Sequence, residues 1–410
     1  MTAQNQASSP GASHLKIPPT VWALGLVSFF MDVSSESIHA LLPLFLTGTL
    51  GASVALVGLI DGVAEATASI SKVFSGYLSD RFGRRKPLIL FGYALGALTK
   101  PLFAIATAPS LVFGARFADR IGKGLRGAPR DALVADVTPE PIRGRAYGLR
   151  QALDTAGAFA GPLLAIGLMW LFADNMRAVF WVAVIPAALA VLCVLIGVED
   201  RGVPAEAREA RPPIRFKDLR GLDGAFWAVV AVGVVFTLAR FSEAFLILRA
   251  SDQGLPLALA PLVLVVMNIV YAVGAYPAGA LSDKVPAQFI LVAGLAALIG
   301  SDLALAFAPG LAGAFAGIIL WGVHMALTQG LFAKLVAARA PRTLRGSAFG
   351  VFNLVTGIAM LLASVIAGLL WDRIGPGATF VAGAGFATLA GALLLLAVRN
   401  GGLSKAQGAL

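Results

Sequence analysis

Runs of about 20 apolar residues, each long enough to cross a hydrocarbon core as helix, recur from residue 19 to residue 398. Twelve separate: 19–47, 54–79, 87–107, 110–137, 144–171, 177–198, 223–249, 258–282, 287–307, 311–338, 346–370 and 377–398. Tight connections such as TLGASV, ATAPS, ADNMR and FAPG turn helix pairs. Alternate connections are basic, with Arg81, Arg84, Arg85 and Lys86, then Arg143 and Arg145, then Arg339, Arg342 and Arg345. The opposite set carries little beyond Arg177, Arg249 and Arg373. Lys and Arg accumulate in cytoplasmic loops, so the alternation predicts a multi-pass protein of the cell (inner) membrane with both termini cytoplasmic. Residues 199–222, EDRGVPAEAREARPPIRFKDLRGL, form the long polar break. They are read as a cytoplasmic linker between six-helix halves at 19–198 and 223–398, with tails at 1–18 and 399–410. No apolar stretch ending in a cleavage site precedes residue 19, so no signal peptide is expected.

The halves repeat. SGYLSDRFGRR at 75–85 aligns with AGALSDKVPAQ at 278–288, and IRGRAYG at 142–148 with LRGSAFG at 344–350, at offsets of 203 and 202. The expected fold is an all-α integral membrane protein, twelve transmembrane helices in two pseudo-symmetric bundles. A solute site is then expected between the bundles near the midplane.

Composition agrees. The chain is 58% hydrophobic and 13% charged, against about 25% charged in soluble domains. The net charge of +10 follows from basic cytoplasmic loops and needs no nucleic-acid partner. Cys193 is the one cysteine and reads as a small buried residue, so there is no disulfide framework. No His/Cys/carboxylate cluster has metal-ligand spacing and no nucleophile–base arrangement is recognisable. An enzyme, a cofactor and a bound metal are not expected.

The charges that remain inside the spans carry phase. In ARFADRIGKGLRGAPRD (115–131), Arg116, Asp119, Arg120, Lys123, Arg126, Arg130 and Asp131 fall within an arc of roughly 140° at 100° per residue. Each charge costs at least roughly 2.5–3.5 kcal/mol at mid-bilayer, so this face must see protein or water. Asp32, Glu36 and His39 cluster on the first helix, and Asp61, Glu65 and Lys72 on the second. By helical rise, Asp32, Glu65 and Arg120 lie near the midplane, which predicts that Asp32 or Glu65 pairs with Arg120. Asp154 falls at similar depth on the face shared with Gly157. The second half offers Arg240, Glu243, Asn268, Tyr271, Asp302, His324 and Gln329, with Asn268 at the repeat position of Glu65. Arg126, Arg130, Asp131 and Lys72, near the cytoplasmic end, read as fixed ion pairs. His39 and His324 stay open between proton carrier and satisfied polar residue. GKG at 122–124 is no P-loop, because that motif needs GxxxxGK[ST] after a strand.

Gly76-Tyr-Leu78-Ser-Asp80-Arg81-Phe-Gly83-Arg84-Arg85-Lys86 resembles the G-x-L-x-D-R-x-G-R-[RK] signature of the major facilitator superfamily. The resemblance implies a gate latch in which Asp80 and Arg84 stabilise the outward-open state. The second copy keeps Gly279, Leu281 and Asp283 but continues Lys284, Val285, Pro286, which degrades it. Gly157-Ala-Phe-Ala-Gly161-Pro162 resembles the GxxxGP core of the family's antiporter motif, with Ala165 and Ile166 where the full motif has glycines. Arg120-Ile-Gly-Lys123-Gly124-Leu-Arg126-Gly-Ala128 resembles the proton-antiporter pattern R-x-x-q-G-x-g-a-A, with Lys123 and Arg126 as departures. The resemblance implies a drug:proton antiporter type, expected to be monomeric, working with a small-molecule substrate, protons and membrane lipid. Asp32, Glu36, Glu65 and Arg120 are then the proton-coupling candidates. Arg116, Lys123, Asp154, Arg240, Glu243, Asn268 and His324 are the substrate-binding candidates. The alternative is an importer or exchanger of an organic anion held by Arg116, Arg120, Lys123 and Arg240.

Overall fold

The computed structural model describes residues 15–200, 202, 221–282, 284–329, 331–341 and 344–399. Most of both tails and of the linker, together with Asp283 and the Asp80 side chain, lies outside the described residues.

Pro19 opens α1 (Pro19–His39), where its missing N–H costs nothing. Pro43, four residues beyond His39, cannot donate to it and crowds its carbonyl. The expected single helix to residue 47 therefore stops at His39. The chain goes on as Leu42–Leu44 and a π-helical turn, Phe45–Thr49. Helix α2 (Val54–Phe82) starts at Ser53, whose hydroxyl accepts from the Leu56 N–H at 3.2 Å, and ends at Gly83 with φ 65°. That left-handed turn suits glycine and is the structural need behind Gly83 of the 76–86 signature. Then follow α3 (Lys86–Ile105), α4 (Pro109–Val137) and α5 (Arg143–Leu171). Helix α6 runs Met176–Val182 and resumes as Val184–Gly197, ending its first piece four residues before Pro186, which has no N–H to donate to the Val182 carbonyl.

In the second half, α7 runs Gly224–Leu238 and resumes as Ala244–Asp252. This corrects the expected continuous helix 223–249. Ser242 there turns its N–H to the Ser364 hydroxyl at 3.2 Å, and its own hydroxyl accepts from the Ala244 N–H at 3.2 Å. Side-chain oxygens thus replace main-chain partners. Helices α8 (Leu262–Ser282) and α9 (Ala287–Phe307) come next. Helix α10 is again in two pieces, Gly310–Thr328 and Leu331–Arg339. Helices α11 (Arg345–Arg373) and α12 (Pro376–Arg399) complete the described chain.

Among the described residues, ten helices are long and apolar enough to cross a membrane. Helix α4 fails that test through its eight charges, and α7 through its break. Within the first half α1 packs on α5 and α6, and α4 on α2 and α3; in the second, α10 packs on α8 and α9, and α12 on α7, α9 and α11. The broadest contact in the molecule crosses between halves, α2 against α11. Glycines make it close: a Cβ on Gly58 would lie 2.2 Å from the Ser364 carbonyl oxygen, and one on Gly368 2.6 Å from the Ala55 Cα. Leu42–Leu44 also touches Ala244–Asp252, and α5 touches the turn Leu257–Leu259. These contacts gather at the face remote from the chain termini. On the terminal face, α4 and α5 make no comparable contact with α10 among the described residues. The molecule is closed on one side and parted on the other.

Helix α5 presses on α1 in the same glycine-dependent way. A Cβ on Gly157 would lie 2.5 Å from the Phe29 carbonyl oxygen, and one on Gly161 2.9 Å from the Glu36 Cβ. Gly157→Ala is expected to lower the thermal unfolding midpoint by the equivalent of about 1–3 kcal/mol of overpacking. Gly167→Ala, whose Cβ meets nothing within 4 Å, is expected to leave the midpoint unchanged or raise it in the same measurement.

Candidate functional site: a ladder of ion pairs ending in an open cluster

The polar stripe of α4 meets a carboxylate or aromatic partner at nearly every step. Arg116 lies 3.4 Å from Asp61, and Arg120 lies 3.3 Å from Glu65. Because both members step by four residues, about one turn, these are successive rungs between α4 and α2. Asp119 faces the other way and is bound at 2.9 Å by Lys100 of α3, which also donates to the Ser35 hydroxyl at 3.0 Å. Arg126 stacks over the Tyr93 ring with its Cζ 4.3 Å from the centroid. Arg130 donates to Ser28 at 2.8 Å and lies 3.5 Å from Asp154, whose Oδ1 is also 3.6 Å from Arg150. Arg116 and Arg120 are each 3% exposed and Lys100 2%, so without these partners their desolvation would go uncompensated.

The glycines interleaved with these charges explain how α4 comes near enough. A Cβ on Gly122 would sit 2.5 Å from the Gly92 carbonyl oxygen of α3, and one on Gly124 2.4 Å from the Ser71 Cβ of α2. Close approach of two neighbours through small residues is the usual device of membrane helices. Here it leaves Lys123, between the two glycines, exposed.

Four charged side chains that share one electrostatic neighbourhood have no hydrogen bond or ion pair among the described residues: Asp32, Lys123, Arg240 and Glu243. They are drawn from both halves. Lys123 acts on Asp32, Glu36 and Glu65, while Arg240 and Glu243 both act on one another and on Glu65. Glu36 is within 3.4 Å of His39, and Tyr271 faces Arg240. Asn268 is half-buried on α8. Of the two carboxylates expected to meet Arg120, Glu65 does so and Asp32 does not. Asp32 instead lies against Gly157, with its Cβ 3.1 Å from where a glycine Cβ would be. Helix α5 runs unbroken through Pro162.

Three substrate-binding candidates are placed elsewhere than expected. His324 is 0% exposed, with its Nδ1 2.9 Å from the Gly294 carbonyl oxygen and its ring between Phe236 and Trp321. It is a core residue, out of a solute's reach in this state. Arg116 is sealed against Asp61, and Asp154 is occupied by two arginines. In the 76–86 signature, a Cβ on Gly76 would lie 3.6 Å from the Ala128 Cβ of α4. Arg81 reaches Tyr77 at 3.4 Å and Arg84 is exposed. Arg85 pairs with Asp136, and its N–H and that of Lys86 donate to Asp200. Residues that sequence reasoning left out of the site are Asp61, Lys100, Arg150 and Ser242. Lys100 could have been found as the lone cation of ALTKPLF.

The sequence pattern of the Major Facilitator Superfamily matches residues 24–364. The chain belongs to that family. An uncharacterised transporter of the family from Methanocaldococcus jannaschii is 30% identical over 389 residues, covering 93% of this chain and 95% of its own. The multidrug resistance protein MdtH of Photorhabdus laumondii is 32% identical over 181 residues, 44% of this chain and 42% of its own. Among solved structures, a bacterial homologue of the human lysosomal transporter Spinster, inward-facing and unoccupied, superimposes with a TM-score of 0.73. It is 19% identical and covers 98% of this chain and 99% of its own. This is a multi-pass membrane transporter of small molecules, with the all-α fold its apolar periodicity implies.

Lys100→Ala leaves Asp119 buried without its cation. It is expected to destabilise the protein by about 3–5 kcal/mol, and Lys100→Ala with Asp119→Ala by clearly less. Thermal unfolding of the single and double variants in the same detergent checks this.

Proposed function

We propose that the protein exports a small organic solute by alternating access, driven by proton entry. The parted face carries the basic connection at 81–86 together with Arg143, Arg145, Arg339 and Arg345, so by the positive-inside rule it faces the cytoplasm. Counting α4 and broken α7 as crossings gives twelve, an even number that keeps both termini there. The state described is then inward-facing, with the open charge cluster accessible from the cytoplasm to a solute leaving the cell. One chain supplies both halves, so a monomer suffices.

The observation that carries the reading is the Glu65–Arg120 pair. Arg120 is buried, while the Glu65 side chain is 41% exposed, so the carboxylate can be reached by a proton although its partner cannot be reached by bulk water. Ionised Glu65 holds Arg120 in the inward-facing state. Once bound solute has turned the site outward, a proton from the outside neutralises Glu65 and frees Arg120, and its release to the cytoplasm after the return re-forms the pair. Asp32, close to Lys123 but unpaired, is the second proton-accepting candidate; Glu36 is held beside His39. Arg240, Glu243 and Asn268 contribute the second half's solute contacts. The partial match to a multidrug resistance protein supports efflux. The organic-anion reading is weaker, because Arg116, Arg120, Arg126 and Arg130 already have partners and only Lys123 and Arg240 remain for an anion.

A thermal-shift screen against cationic, neutral and anionic organic molecules supplies a ligand, whose movement is then followed in proteoliposomes under an imposed pH gradient. Glu65→Gln is expected to abolish dependence on the gradient while binding survives, and Asp32→Asn to weaken that dependence. Unaltered gradient dependence in both variants would falsify the coupling assignment. Loss of binding itself in Arg120→Ala and Lys123→Ala, with gradient dependence intact in Glu65→Gln, would favour the anion reading.

A further inference from the structure

We infer that Asp61 is a positioning residue that ties the Glu65–Arg120 pair to closure of the remote face. The inference rests on the alternating-access reading above, but not on the identity of the solute or of the coupling ion. Asp61 is 4% exposed and its two oxygens serve different halves of the molecule. Oδ1 is 3.4 Å from Arg116 of α4, and Oδ2 accepts from the Ser242 hydroxyl at 2.8 Å across the interface. Ser242 sits in the break of α7 and donates its N–H to the Ser364 hydroxyl of α11 at 3.2 Å. One carboxylate therefore links α2, α4, α7 and, through Ser242, α11. The Gly58–Ser364 approach lies beside it. At the rim of the same interface, Asp372 of α11 accepts from the N–H groups of Val54 and Ala55 at 3.1 and 2.8 Å, an acidic cap on the positive end of α2.

The link to the coupling pair comes from helical register. Asp61 is one turn from Glu65 on α2, as Arg116 is from Arg120 on α4. Arg116 is held only at ion-pair distance, its Nε and Nη2 lacking hydrogen-bond partners. Arg120 already acts electrostatically on Asp61 as well as on Glu65. When Glu65 loses its charge, Arg120 turns to the next carboxylate on the same face of α2, which is Asp61. Asp61 is then shared between two guanidinium groups, its hold on Ser242 weakens, and the broken segment of α7 is released from α2. Neutral Glu65 thereby favours the remote-open state, and by linkage Glu65 holds its proton less tightly once the remote face has closed, so a proton taken up outside is given up to the cytoplasm.

The test uses the full-length chain in nanodiscs, without solute and at one pH. Cys193→Ser removes the native thiol, and Leu171→Cys with Phe307→Cys places one spin label per half at the remote face. Pulsed electron–electron distance measurement then reads the ratio of remote-closed to remote-open molecules. Ser242→Ala removes one hydroxyl and is expected to shift the ratio toward open by about tenfold, the scale of a hydrogen bond to a charged acceptor. Asp61→Asn and Ser364→Ala are expected to shift it in the same direction. Glu65→Gln is also expected to shift it toward open, and to shift it much less when Ser242→Ala is already present, since the two act through one contact. An unchanged distance distribution in both Ser242→Ala and Ser364→Ala overturns the closure role. Additive effects of Glu65→Gln and Ser242→Ala overturn the link to the coupling pair. Neither result depends on transport, so a failure here is separable from a failure of the proton-coupling reading.

Discussion

A guanidinium or ammonium group cannot stay within a bilayer unless something of opposite charge, or water, stays with it. That constraint organises the first half of this transporter. Helix α4 brings five cations between residues 116 and 130, and the positions of α1, α2, α3 and α5 around it are those at which their acids, hydroxyls and aromatic rings can answer. Asp61 and Glu65 set the register of α2 against α4, and Lys100 sets that of α3 through Asp119. Around α4 the packing is polar inside, while α1, α3 and α6 close over an apolar core that includes Val21, Leu24, Met31, Ile89 and Val194. The second half carries fewer such groups and is filled mainly by Phe241, Phe245, Trp321 and Phe380, whose rings meet edge-on or tilted at centroid distances of 5.4–5.5 Å.

Glycine allows the ladder to be short. Ion pairs of 3.3–3.4 Å between side chains of neighbouring helices need backbones that nearly touch, and Gly122 and Gly124 permit that on two sides of α4 at once. The same economy appears at Gly157 and Gly161, which bring α1 close enough for Asp32 and Glu36 to be held at fixed depth. Glycine and charge alternate along α4 because one supplies the proximity that the other requires.

Much of this is legible in the order of residues alone. Span positions follow from apolar run length, the repeat from two pairs of matching segments, and the polar face of α4 from helical phase. Phase and family resemblance both mark Arg120, and depth marks Glu65. What escapes the sequence does so for physical reasons. The break in α7 depends on Ser364, a residue far along the chain that replaces a main-chain partner. His324 is ambiguous in sequence because phase does not tell a cavity from a core. Here the Gly294 carbonyl and two aromatic rings decide the matter. Lys100 is visible as a lone cation in an apolar run, but a single cation has no phase to say which helix it meets.

The ladder also bears on how the chain is assembled in the first place. Seven charges between Arg116 and Asp131 make α4 a poor candidate to partition from the translocation machinery into lipid by itself, at a penalty of roughly 2.5–3.5 kcal/mol for each group near the centre. Its counter-charges at Asp61, Glu65 and Lys100, and its supports at Ser28 and Tyr93, all lie earlier in the chain. They emerge from the ribosome first. The order of synthesis therefore presents α4 with a prepared polar groove, and biogenesis of the first half becomes a matter of delivering the charged helix to partners already waiting in the membrane, with Asp154 of α5 following to meet Arg130.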